Sequence, residues 1–176
     1  MDFNTLSKTI HSDNVIAGWW DDPDRCLLTC VQLILTEISE ATEGERKDLM
    51  DDHLPHRKMG EVELADALIR TLDLGGKIGA TYRQYHIPYD HIVDRSIGAK
   101  HFIISKAAVG FGRAIEFNMA KEEVDYHYSR LIDLITAVAF HKGYDVRSAV
   151  LEKMEYNKGR EDHKRENRAA TGGKKF

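Results

Sequence analysis

The chain has 176 residues, 42% hydrophobic and 31% charged, with a formal net charge of −4. That length suits one domain with a working apolar core, and the composition lacks the low-hydrophobicity, high-charge signature of a disordered chain. The mild negative charge gives no global reason to expect a nucleic-acid or membrane partner.

Residues 3–16 read as a short amphipathic helix, with Phe3, Leu6, Ile10 and Ile16 toward one side. Gly18-Trp19-Trp20 and the turn Asp21-Asp22-Pro23-Asp24 interrupt it. A second helix is expected from about Arg25 to Glu43 on Leu27, Val31, Ile34, Leu35 and Ile38. Within it Cys26 and Cys30, the two cysteines, are spaced as small core residues. Gly44 to Gly60 contains Pro55 and mixed charges and predicts a loop or a broken helix. A third helix follows from about Glu61 to Ile78. Tyr82, Tyr85, Pro88 and Tyr89 mark an irregular aromatic stretch, His101 to Met119 a possible helix, and Glu122 to His141 a clear one. The last helix is expected from about Val146 to Arg160, ahead of an extended or mobile polar tail over 161–176. Alternating strand patterns are lacking, so the fold class is all-α. The N-terminal MDFNTLSKTIHSDN has no apolar h-region, and no run approaches a membrane span of about 20 residues, so a cytoplasmic protein is expected.

The most informative feature is a pair of acidic pairs. Glu37 and Glu40 lie on the second helix, Glu63 and Asp66 on the third. Residues three apart on a helix stand roughly 60° apart around its axis, so each pair projects two carboxylates together. Glu37 is bordered by Leu33, Ile34, Ile38 and Ala41, and Asp66 by Val62, Ala65, Leu68 and Ile69, so both pairs edge the apolar stripes. Four carboxylates there must separate, take up protons or share cations. All-oxygen ligands favour Mg²⁺ or Mn²⁺ over zinc, and Mg²⁺ is commonly completed by substrate phosphates. Asp73 lies on a similar face and could assist; the bland alternative is surface ion pairing, with Arg70 four residues from Asp66.

At these residues the chain resembles the all-α nucleoside triphosphate pyrophosphohydrolases, the MazG-like group, whose hallmark is ExxE on one helix and ExxD on the next. The likeness extends to Gly18-Trp19-Trp20, to LADALIRTLDLGGKIG, and to Lys153-Met154-Glu155-Tyr156-Asn157 with Arg160, which fits a KMxxN-type motif. The closing Gly172-Gly173-Lys174-Lys175-Phe176 is similar to the tail of phage-type members. The resemblance covers about residues 1–80 and 143–176; the domain is drawn over 1–160, with 82–141 as an insertion or a degenerate repeat, and 161–176 form a basic polar tail. In the repeat, Leu35–Glu43 overlays Ala108–Glu116, placing Gly110 and Arg113 at the positions of Glu37 and Glu40. The family implies cleavage of a (d)NTP to (d)NMP and pyrophosphate, with Mg²⁺ (Mn²⁺ able to substitute) on Glu37, Glu40, Glu63 and Asp66. It also implies a homodimer or homotetramer. The phage-like features place such an enzyme in the host cytoplasm and make dGTP the first substrate to try.

Lys153, Asn157 and Arg160 form one polar stripe and would hold phosphate oxygens and sugar. Trp19 and Trp20 offer faces for a nucleobase, with one expected in the core and one near the pocket. Lys164, Arg165, Arg168, Lys174 and Lys175 either close over the triphosphate or form a solubilising tail. His53 and His56 straddle Pro55 and make no zinc pair on one helix. No His-Asp dipeptide and no GK[ST] phosphate loop occurs, which disfavours HD-type hydrolases and P-loop ATPases. The remaining alternative is a non-enzymatic helical adaptor or regulator that keeps the acids as a structural metal site.

Overall fold

A computed structural model describes residues 2–85, 90–169 and 171–172. The helices are α1 (Phe3–Ile16), α2 (Leu27–Lys47), α3 (Met59–Ile78), a single turn α4 (Asp90–Val93), α5 (Ile97–Glu116), α6 (Lys121–Lys142) and α7 (Val146–Lys158). A 3₁₀ turn (Glu161–His163) and a short α8 (Arg165–Ala169) follow. No strand forms among the described residues beyond an isolated bridge between Met50 and Lys58. The all-α expectation holds. No described helix is long and apolar enough to cross a membrane.

Capping chemistry explains several boundaries. The Asp2 carboxylate accepts from the Asn4 and Thr5 amides at the start of α1, Ser96 from Ala99 at α5, and Asp145 from Ser148 at α7. Gly79 and Gly143 end α3 and α6 with φ of 68° and 82°, a left-handed conformation that costs glycine little. Helix α2 runs on past Glu43, where the sequence pattern suggested an end. Gly44 sits inside it because the third helix crosses there: a Cβ on Gly44 would come 2.9 Å from Cβ of Met59. The α2–α3 link is ordered by Asp51, whose Oδ1 accepts from the His53 and Leu54 amides at 2.9 and 2.7 Å.

Helix α3 is buried on nearly every side from Gly60 to Gly75, as a helix must be when it is apolar around most of its circumference. It runs antiparallel to α2, with Gly44 beside Gly60 at one end and Arg70 beside Glu37 farther along. Helix α1 closes one side through Ser7, whose hydroxyl donates to the Leu72 carbonyl at 2.7 Å. Helix α7 closes another. The α5–α6 hairpin packs on α2 and α3, and its Ile104, Ala108, Phe111, Tyr128, Leu131 and Ile135 belong to the same core as Ile34, Ile38, Leu64, Leu68 and Leu72. The described residues between 90 and 141 thus contribute to the same core. Pro88 and Tyr89 of the aromatic stretch lie outside the described residues.

Glycines at 75 and 76 let two neighbours approach α3 closely. A Cβ on Gly75 would overlap the Tyr128 ring, and one on Gly76 would lie 2.6 Å from Cβ of His11. Tyr128 is fully buried and cannot swing outward. Gly75→Ala is therefore expected to cost about 1–3 kcal/mol through overpacking, read as a lowered urea midpoint. An unchanged midpoint would mean that α6 is free to shift away.

Candidate metal and phosphate site

Three of the four carboxylates converge. Oxygens of Glu37, Glu63 and Asp66 all lie within 4.8 Å of one another. They meet because α2 and α3 are antiparallel neighbours that turn these acid-bearing edges toward each other. Glu37 and Glu63 are buried, whereas Glu40 lies one turn farther along α2 with an exposed side chain. It stands at the rim, outside the three-residue cluster.

Burial dominates the electrostatics of this cluster. It pushes Glu63 far above the ordinary carboxylate range, and the charge of Asp66 and a hydrogen bond with Glu37 push the same way. Asp66 is raised to about 6, mainly by burial, against the pull of Lys153. Glu40 is raised by partial burial and by the charge of Glu37.

Two cations complete the cluster. Nε of Arg70 lies 2.5 Å from Oε1 of Glu37, and Nζ of Lys153 lies 3.0 Å from Oδ2 of Asp66. The pairing of Arg70 with Asp66 suggested by i,i+4 spacing is thereby corrected: Arg70 reaches across to α2. Lys153 is only 2% exposed, and it also donates to Nδ1 of His53 at 3.2 Å. Burial and the neighbouring Lys153 and Arg160 lower the His53 pKa, in keeping with a neutral ring that accepts this bond. Lys153 sits behind Asp66 as a charge-balancing group. No sequence spacing signals the His53–Lys153 contact, because the two residues lie 100 positions apart.

Asp73 does not join the cluster. His11 Nδ1 lies 2.8 Å from its carboxylate, which accepts from Asn14 at 2.8 Å and from Trp20 Nε1 at 3.0 Å. Trp20 packs against the core with the Arg25 guanidinium 4.6 Å from its ring centroid. Trp19 instead lines a cavity of about 310 Å³ together with Asp66, Arg70, Asn157, Arg160 and His163. A second cavity of about 380 Å³ continues from Trp19 and Asn157 toward Ile10, Asn14 and Ile69. Oδ1 of Asn157 is buried without a hydrogen-bond partner among the described residues, and Arg160 is held by Asp162 at 2.8 and 2.7 Å. Cys30 is buried but Cys26 is exposed at the start of α2, so only one of the two is a core residue.

The segment after α7 is helical and docked up to Ala169, where the composition suggested an extended or mobile chain. Arg165 pairs with Asp21 at 2.9 Å, and the Arg168 guanidinium lies 4.0 Å from the Trp19 ring centroid while donating to the Ala17 carbonyl. The contact needs the Gly18 turn, where φ is 81° and a Cβ would collide with Arg165. Lys174 and Lys175 lie outside the described residues. Arg168→Ala is expected to remove about 0.5–1 kcal/mol of cation–π attraction and to increase acrylamide quenching of tryptophan emission. Unchanged quenching would show that Arg168 does not cover Trp19.

Comparison with family models, with curated proteins and with solved structures gave no match.

Proposed function

We propose that the protein is a Mg²⁺-dependent nucleoside triphosphate pyrophosphohydrolase that converts a (d)NTP, with dGTP the first to try, to (d)NMP and pyrophosphate. The observation that carries this reading is the convergence of Glu37, Glu63 and Asp66, the last of which also lines a cavity shared with Trp19, Asn157 and Arg160. The donor set fits a hard divalent cation. Oxygen–oxygen separations in an octahedral Mg²⁺ shell are about 3–4.2 Å for bonds of about 2.1 Å, so separations up to 4.8 Å need only a small inward adjustment. The charge count also supports the fit: three clustered carboxylates face only the two cations Arg70 and Lys153.

Glu37, Glu63 and Asp66 would hold the metal, with Glu40 positioned at the rim. A bound Mg²⁺ neutralises phosphate charge and acidifies an attacking water near neutral pH. Arg160 would exchange Asp162 for phosphate oxygens, a trade of one anionic partner for another. The unpartnered carbonyl of Asn157 offers an acceptor for a sugar hydroxyl or an amino group. The Trp19 indole lines the cavity and would meet the base there, with Arg168 stacked 4.0 Å from its centroid and the His163 ring edge-on to it at 5.2 Å. Assembly as a homodimer or homotetramer goes with this reading, supported by the exposed Ile16, Phe140 and Leu151.

The test is an assay of the eight common NTPs and dNTPs with Mg²⁺, read by phosphorus NMR. A monophosphate with intact pyrophosphate is expected. Orthophosphate with a diphosphate would overturn the assignment. No turnover, together with a Mg²⁺-induced rise in melting temperature, would favour the structural-metal adaptor.

A further inference from the structure

The α5–α6 hairpin carries none of the clustered acids and has a cavity of its own. It measures about 400 Å³ and is lined by Arg95, Ala99, Phe102, Ile103, Lys106, Ala107, Gly110, His127 and Arg130. It shares no lining residue with the cavities beside Asp66. Among its described lining residues are two arginines, a lysine and a histidine, and no carboxylate. A concentration of cations on a chain of net charge −4 runs against the overall balance.

Neither Lys106 nor Arg130 makes an ion pair or hydrogen bond with a described residue. The groups facing His127 are Arg130, Arg113 and Glu123; burial lowers the His127 pKa first, the two arginines add to that, and Glu123 opposes them. Gly110 keeps α5 tight against this ring, since a Cβ there would lie 3.0 Å from His127 Nδ1. The floor is apolar, formed by Ala99, Ile103 and Ala107, and Phe102 stands at the edge 65% exposed. Pockets for small ligands combine such an apolar lining, a volume of about 300–1,000 Å³ and a few convergent polar groups.

We infer that this cavity is a second, metal-independent binding site for a phosphate-bearing small molecule with a flat apolar part, of the nucleoside monophosphate kind. Lys106 and Arg130 take the phosphate, whose charge relieves their mutual repulsion, and His127 donates a ring N–H to it. The base or a similar ring lies on the apolar floor against Phe102. The site is independent of the pyrophosphohydrolase reading, because it uses neither the carboxylates nor Arg160.

The test is calorimetric titration of the full chain in EDTA with inorganic phosphate and with AMP, together with NMR of the His127 ring. Saturable binding is expected, tighter for AMP than for phosphate, with a shift of the His127 signals. K106Q/R130Q is expected to weaken it about tenfold or more through loss of two charge-assisted contacts. That variant should keep its melting temperature, because it removes like charges. Glu63→Gln should bind AMP as the wild type does. Absence of saturable binding, full binding by K106Q/R130Q, loss of binding on Arg160→Gln, or AMP no tighter than phosphate would each overturn the inference. Sedimentation adds one more check: a self-associated wild type that K106Q/R130Q dissociates would make this face an interface between copies, and would overturn it as well.

Discussion

Replacing Glu63 by glutamine is expected to reduce Mg²⁺-dependent pyrophosphate release roughly 10³-fold, the equivalent of about 4 kcal/mol of transition-state stabilisation. The same change should stabilise the metal-free protein at neutral and alkaline pH. The sign follows from the direction of the pKa shift. Glu63 titrates far above its ordinary value of 4.5 in the folded protein, so the folded state holds a proton that the unfolded chain releases. The stability linked to that proton is complete below about pH 4.5 and is lost as pH rises through the folded-state pKa. A glutamine amide imitates the protonated acid and cannot ionise, so the alkaline loss should flatten. Mg²⁺ should raise the melting temperature of the wild type and barely that of the variant, since a ligand of the folded state stabilises it by mass action. Thermal scans from pH 5 to 9, with and without Mg²⁺, read both effects. A folded variant with wild-type turnover would remove Glu63 from the site.

Lys153→Ala should be the most destabilising single change near the site. It leaves Asp66 facing Glu37 and Glu63 without its ammonium partner. Breaking a buried pair from one side costs about 3–5 kcal/mol, on the order of 10 °C in melting temperature for a domain of this size. Lys153→Met separates packing from charge, because it keeps most of the stem. If charge dominates, K153M should lose nearly as much as K153A, and D66N/K153M should recover much of the loss. Added Mg²⁺ should then stabilise K153M more than the wild type, a divalent ion standing in for the ammonium. A loss below about 1 kcal/mol for K153A would show that water, not Lys153, balances Asp66.

Several of the cluster's features were legible in the chain. The i,i+3 spacing of Glu37 with Glu40 and of Glu63 with Asp66, on the edges of apolar stripes, is a local property that helical geometry converts directly into shared faces. The same periodicity located α1, α3, α6 and α7 to within about two residues. It was weakest at Gly44, where a glycine that normally weakens a helix is retained because Met59 packs where its side chain would be.

What periodicity cannot report is which face meets which. That choice rests on contacts between residues far apart in the chain, and the tertiary structure alone made it. It set Glu40 at the rim while Glu37 met Glu63 and Asp66, sent Arg70 across to Glu37, and buried Lys153 behind Asp66. It diverted Asp73 to His11, Asn14 and Trp20, and folded the basic segment after α7 down onto Trp19. It also brought Lys106 of α5 and Arg130 of α6 to one cavity. The acids of the candidate site were therefore local information, written in helical spacing. Their neutralising partners were not, because a buried charge is balanced by whichever cation the packing of helices delivers.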